Sequence, residues 1–221
     1  MKKIIHISDT HGTFPQLPEG EFVVHSGDFL PNASRGNLAI EPKFQQAWVE
    51  ARLDTFRDWL GGRTLLVCDG NHDFFNCCEL LTANGITAID LTNKLVTFQG
   101  ISFYGFPYIP YIAGEWNYEK HLAEMNDELR YMREKVQDAN VSLDFLVAHA
   151  PPWGVCDLYL GNHFGNTVLT NMLAYDQMQP LPKYILCGHI HEANGSANIF
   201  GIEISNAATR VHVIEYAEPG D

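Results

Sequence analysis

Positive charge is scarce in this chain. Its 221 residues hold 14 lysines and arginines against 27 aspartates and glutamates, a formal net charge of -13. So few cations give no broad basic face for DNA or an anionic membrane. Small anionic substrates are still admitted, because bound divalent metals would reverse the charge inside a carboxylate-lined pocket. Long hydrophobic runs are missing too: no stretch reaches the roughly 20 apolar residues that span a bilayer. The five cysteines are odd in number and irregularly spaced, which argues against a disulfide framework and for reduced thiols. Cys77-Cys78 reads as two buried or helical thiols rather than a redox pair. The opening Met1-Lys2-Lys3-Ile4-Ile5 runs into strand-like sequence, not a signal-peptide core. These features together point to a cytoplasmic protein. With no repeat, low-complexity tract or linker, residues 1–221 read as a single domain carrying a helical insertion around 115–140.

Histidine, by contrast, is abundant, with ten residues. Short apolar runs rich in β-branched residues recur at 4–7, 22–25, 64–68, 86–89, 143–148 and 184–187, and read as buried strands. Residues 94–99 and 101–104 flank Gly100 as a hairpin, and 199–205 with 211–216 suggest another at the end. Helices are expected over 41–60, stopped by Gly61-Gly62, and over 76–84, 118–139 and 166–178. Alternating strands and helices with late hairpins predict α/β layering.

Five polar clusters each follow one of the buried strands: Asp9-Thr10-His11, Gly27-Asp28, Gly70-Asn71-His72-Asp73, His149 and Gly188-His189-Ile190-His191. The carboxyl ends of strands are where α/β sheets gather ligands, so these loops can converge on one crevice. Taken singly, Asp9 could serve as a turn or cap, Gly27-Asp28 as an ordinary turn and His149 as a hydrogen-bonded structural histidine. Gly-His-x-His is more specific, since this composition yields about 0.04 chance matches. Carboxylate, amide and imidazole donors without thiolate suit Mn, Fe, Zn or Ni rather than a structural zinc cluster.

This ordered set resembles the calcineurin-like metallophosphoesterase superfamily, whose motifs it fills from residue 9 to residue 191. The resemblance implies a two-sheet β-sandwich flanked by helices and two divalent metal ions. Asp9, His11 and His191 would bind one metal, Asn71, His149 and His189 the other, and Asp28 would bridge them. His72 would protonate the leaving oxygen, and Asp73 would hydrogen-bond His72. The implied reaction is attack of a metal-bound hydroxide on a small phosphate ester.

Further blocks, Gly105-Phe106-Pro107-Tyr108 and His149-Ala150-Pro151-Pro152-Trp153-Gly154, are similar to small members related to class III cyclic-nucleotide phosphodiesterases. They make a phosphodiesterase, with manganese among its metals, the leading expectation. A nuclease, a phosphomonoesterase and a non-catalytic scaffold are the alternatives, and the negative charge disfavours nucleic acid. Arg35 sits at the wrong spacing for the phosphate-binding arginine of the protein phosphatases.

His163 is placed on a loop, either near the substrate or at the surface. The aromatics between Phe106 and Tyr118 read as packing or a subunit contact, with base stacking as their other role. His6, His25 and His212 read as core or sheet-face residues without chemistry, and His121 belongs to a helix face.

Overall fold

The computed structural model describes residues 1–175 and 180–217. The first half of the chain gives β1 (Lys2–Ile7), β2 (Phe22–His25), α1 (Glu41–Glu50), α2 (Leu53–Leu60), β3 (Thr64–Val67), α3 (Cys78–Ala83), β4 (Ala88–Asp90), β5 (Leu95–Phe98) and β6 (Ile101–Phe106). The short β7 (Ile109–Pro110) and β8 (Glu119–Lys120) precede α4 (Leu122–Asp138) and β9 (Phe145–Ala148). There follow β10 (Leu158–Tyr159), β11 (Asn162–His163), α5 (Thr167–Ala174), β12 (Tyr184–Cys187), β13 (Gly195–Ile199), β14 (Ile202–Asn206) and β15 (Val211–Tyr216).

Two sheets carry the fold. One has the order β15-β1-β2-β3-β4, with β1 to β4 parallel and β15 antiparallel along β1. The other runs β13-β14-β12-β9-β6-β5, with parallel strands inside and antiparallel β13 and β5 at the edges. Strand side chains alternate in direction, so each sheet feeds two layers. Ile4, Val24 and Leu66 of the first sheet meet Phe103, Phe145 and Leu186 of the second between the sheets. On the first sheet's other face, Ile5, Val23 and Leu65 pack with Val49, Phe56 and Leu81 from α1, α2 and α3. On the second sheet's other face, Leu146 and Ile185 pack with Leu129 and Met132 of α4 and Leu169 of α5. The result is the helix-flanked β-sandwich expected from the sequence.

Several expectations need correction. The helix expected over 41–60 is two, because Arg52 N–H bonds to the Val49 carbonyl while its guanidinium takes the Trp48 carbonyl at 3.3 Å and lies over the Trp48 ring. The expected terminal hairpin is also different. The chain turns at Phe200-Gly201, both with positive φ, so β13 pairs with β14, and β15 crosses to the other sheet. The α4 helix starts at Leu122, because Glu119–Lys120 pairs with β7 instead. The α5 helix is described to Ala174, and the expected end at Met178 lies outside the described residues. Among the described residues, no helix is long and apolar enough to cross a membrane.

Candidate metal centre

The five clusters leave the ends of β1, β2, β3, β9 and β12, so the sandwich itself gathers them. The first three strands are neighbours in one sheet, and β9 and β12 are neighbours in the other. The loops are then tied to one another: Asp9 N–H donates to the Gly27 carbonyl at 2.9 Å, His11 N–H to Asp28 at 3.0 Å, and Gly188 N–H to His149 at 2.9 Å. Asp9, His11, Asp28 and His189 all have positive φ, between 44° and 66°. For residues other than glycine such backbone costs about 1–2 kcal/mol each, and it is retained where a side chain must point at a site. Gly27 and Gly188 are required by close approach. A Cβ on the first would strike the His149 imidazole, and on the second the Asp9 carboxylate.

The donors fall into overlapping groups. Asp9, His11 and His191 form one, Asp28, His149 and His189 another, and His11, Asp28 and His72 a third, with ligand atoms in each group within 4.8 Å of one another. His191 Nε2 lies 3.1 Å from Asp9 Oδ1, and His149 Nε2 lies 3.3 Å from Asp28 Oδ1 and 3.0 Å from Asn71 Oδ1. Asp28 is buried, yet its Oδ2 faces His11 and His72 Nε2 at 4.0 Å, beyond hydrogen-bond reach. A carboxylate oxygen so placed among imidazoles suits a cation between them.

Electrostatics couple Asp28 to these imidazoles. Burial opposes charge on Asp28, but His149, His72 and His11 hold its carboxyl well below the usual range. Burial likewise pulls His149 down, and the Asp28 carboxylate outweighs it, pushing the imidazole up to about 9. His189 lacks that compensation in full and is pulled by burial to about 4, leaving it neutral and able to ligate. The nearby Cys68 and Cys187 thiols are pushed up by burial and stay protonated, so the donor set is oxygen and nitrogen.

A second layer orients these ligands. His149 Nδ1–H donates to the Ser26 carbonyl at 2.9 Å, which fixes the tautomer that presents Nε2 to the centre. Behind it a polar chain runs from His212 through Ser205 and His6 to the Ser26 hydroxyl, with links of 2.8, 2.9 and 2.9 Å. His25 is pulled to about 3 by burial. It accepts from Gly27 N–H through Nδ1 and donates from Nε2 to Thr10 Oγ1.

The environment of His72 differs from expectation. Its Nδ1 is 2.6 Å from Asn32 Oδ1, and its ring lies against Trp116 at 4.0 Å between centroids. Asp73 does not reach this imidazole. Its carboxylate accepts instead from Gly70, Leu30 and Phe29 N–H at 2.8, 2.9 and 3.2 Å, because the turn buries it among backbone donors that have no other acceptor. Asn32 is not singled out by the sequence, its only local hint being its place four residues past Asp28 in the same loop, and Trp116, expected to pack or to stack a base, lies instead against His72.

Other residues fall into place around this centre. Arg35 is exposed and pairs with Glu115 at 3.7 Å. His121 stacks on Tyr111 at 4.0 Å, at the start of α4. Tyr118 donates to Asp69 Oδ2 at 3.1 Å, and Phe106 is in the core.

The centre opens into a cavity of about 520 Å³, with Asp28, Asn71, His72, Tyr111, Trp116 and Phe164 among its walls. Another, of about 530 Å³, lies between α4 and α5 away from these ligands. The sequence model of the calcineurin-like phosphoesterases matches residues 2–193, a span that includes all five loops. The chain belongs to the calcineurin-like phosphoesterase family. Among curated proteins it is 28% identical over 224 residues to a UPF0046 protein of Caenorhabditis elegans, covering 93% of this chain and 69% of that protein. It is 25% identical over 227 residues to Metallophosphoesterase domain-containing protein 1 of Homo sapiens, covering 87% of this chain and 61% of that one. A protein named Probable rhamnogalacturonate lyase C, from Emericella nidulans, matches at 26% over 201 residues, which is 87% of this chain but 17% of that protein. The chain thus spans less than two thirds of the length of two of these relatives. A solved crystal structure superposes with a TM-score of 0.67 at 15% identity, covering 98% of this chain and 99% of its own, a likeness of fold. Membership of the calcineurin-like phosphoesterases supports metal-dependent hydrolysis of phosphate esters.

Proposed function

We propose that the chain hydrolyses small phosphodiesters, cyclic nucleotides among them, with the help of two divalent cations. Asp9, His11 and His191 would hold one, Asn71, His149 and His189 the other, with Asp28 shared between them. The observation that carries this reading is the Asp28 carboxylate, which belongs to two donor groups at once and has an oxygen 4.0 Å from two imidazoles. When bound, the cations supply a water acidic enough to ionise near neutral pH and positive charge for the phosphoryl oxygens. The protein residues do the rest. Asn32 takes the His72 Nδ1 proton in a hydrogen bond, which leaves Nε2 on the cavity side to carry a proton to the leaving oxygen. That proton matters most for a diester, whose alkoxide leaves poorly without it. Trp116 restricts the imidazole to one orientation.

The test is metal-reconstituted turnover of bis(4-nitrophenyl) phosphate, 4-nitrophenyl phosphate, cyclic nucleotides and single-stranded DNA with Mn²⁺, Fe²⁺, Zn²⁺ and Ni²⁺. Diester turnover is expected, and Asp28→Ala should abolish it while metal content by elemental analysis falls at both sites. An Asp28→Ala protein that keeps two metals would refute the shared-ligand assignment. Turnover confined to the monoester would replace the diester reading.

A further inference from the structure

Beside the metal cavity lies a second chamber of about 430 Å³ that the chemistry above does not use. The two adjoin: Pro110, Tyr111 and Phe164 line both. We infer that this chamber holds the planar heteroaromatic ring of one arm of the phosphodiester, as a nucleoside would present it. The inference rests on the phosphodiesterase reading of the neighbouring centre and adds the place where the ring of a nucleoside arm would be held.

Three observations support a flat ring. First, two pairs of rings from separate segments line the chamber. Tyr111 stacks on His121 at 4.0 Å and 23°, and Trp153 sits 5.1 Å from His163. Tyr111, Trp153 and Phe164 are each between 45% and 48% exposed, so their faces are available to a ligand. Aromatic faces of this kind are suited to offset stacking.

Second, the loop carrying Trp153 and His163 is rigidly built. Asp157, 1% exposed, accepts from Gly154 N–H at 3.0 Å, Gly165 N–H at 2.8 Å and His163 Nδ1 at 2.6 Å. His163 Nδ1–H donates to this carboxylate, so Nε2 is the ring nitrogen that can accept an amino or imino N–H of a heterocycle.

Third, the chamber is not arranged for a second anion. Lys120, its lysine, is neutralised by Glu128 at 3.1 Å. The first backbone donors of α5 are occupied as well, because the Asn166 side chain accepts from Val168 and Leu169 N–H at 3.1 and 3.0 Å. A second phosphate would find compensated charge and occupied donors, whereas an uncharged ring would find matching faces. The volume is within the ordinary range of small-molecule sites.

Calorimetric titration of the metal-free protein with adenosine, and with methyl riboside as the ring-free control, tests the chamber apart from catalysis. Adenosine should bind and the riboside should not. Trp153→Ala should weaken adenosine by about tenfold or more, as loss of base stacking does elsewhere, and Trp153→Phe should restore most of it. If Trp153→Ala does not fold, as judged by circular dichroism, His163→Ala carries the same expectation. With metals present, adenosine should raise KM for a cyclic nucleotide without lowering kcat. Equal binding of adenosine and riboside, or adenosine binding indifferent to both variants, overturns the inference. Adenosine binding in a protein that turns over no phosphodiester sustains the chamber and refutes the phosphodiesterase reading, so the two failures are distinct.

Discussion

His72 is fixed by three contacts: Asn32 Oδ1 on Nδ1, the Trp116 ring against its face, and its backbone N–H on Asp28 Oδ1 at 2.7 Å. Replacing it with alanine should leave both metals bound and lower kcat by about 10²–10⁴-fold, most for alkyl leaving groups. Equal losses on nitrophenyl and alkyl diesters would exclude an acid role. Asn32→Ala should lower kcat in the same substrate order but by about tenfold, with KM little changed, and Asn32→Asp, which keeps an acceptor, should recover most of it. At this scale the sequence was informative where chemistry restricts the residue type. Carboxylates, imidazoles and an amide at fixed spacings after strands left few other readings for Asp9, Asp28 or His189. Asn32 is a common loop residue acting on a side chain 40 positions away, and Trp116 reaches the same ring from 44 positions away. No local pattern ties either residue to that ring, although Trp116 stands in the aromatic run between Phe106 and Tyr118. The resemblance pairs Asp73 with His72, but the tight turn sends its carboxylate to the Gly70, Leu30 and Phe29 amides instead.

Among the elements, the buried strands were legible because short β-branched runs have few alternatives, and the sites at their ends came with them. The helices were read less well. The positions that α1 buries fully are Glu41, Gln45 and Val49, while its aromatic residues Phe44 and Trp48 are half-buried. Glu41 accepts from Ala33 and Ser34 N–H, while Gln45 donates to the His72 carbonyl at 2.7 Å and accepts from Phe74 N–H at 2.7 Å. This helix braces the loops that carry Asp28 and His72, so part of its inner face is polar and a search for an apolar stripe misjudges it. The α4 helix obeys the simpler rule, with Met125, Leu129, Met132 and Val136 buried at spacings of three and four. Met132 is fully buried, and Met132→Ala should destabilise the fold by about 2–5 kcal/mol in denaturant titration.

Across the whole molecule, polar links join the two sheets at both ends. At the metal end Ser205 of β14 bonds both His6 of β1 and His212 of β15. At the other end Asp144 accepts from Tyr216 of β15 at 2.9 Å, Lys183 at 2.7 Å, and the Ser102 amide and hydroxyl at 2.9 Å each. Burial raises the Asp144 carboxyl, but these donors outweigh it and hold the group below its ordinary value. A carboxyl depressed in the folded state adds stability that is complete above the unfolded value of about 3.9 and is lost as pH falls through the folded value. Asp144→Asn should therefore cost roughly 1–3 kcal/mol near neutral pH. The gap from wild type should narrow below about pH 4, as urea titrations at several pH values would show. These cross-sheet partners were not legible, since Ser102, Asp144 and Tyr216 look like ordinary strand-end residues until the two sheets face each other.

Each candidate metal position draws on both sheets. Asp9 and His11 meet His191 at one, and Asp28 and Asn71 meet His149 and His189 at the other. The spacing of the ligand halves thus depends on how the two sheets pack against each other. The packing of Phe22 of β2 against Phe103 of β6, 6.1 Å between ring centroids, is one of the cross-sheet contacts that set that spacing. A loaded centre would in turn act as a rivet through both sheets.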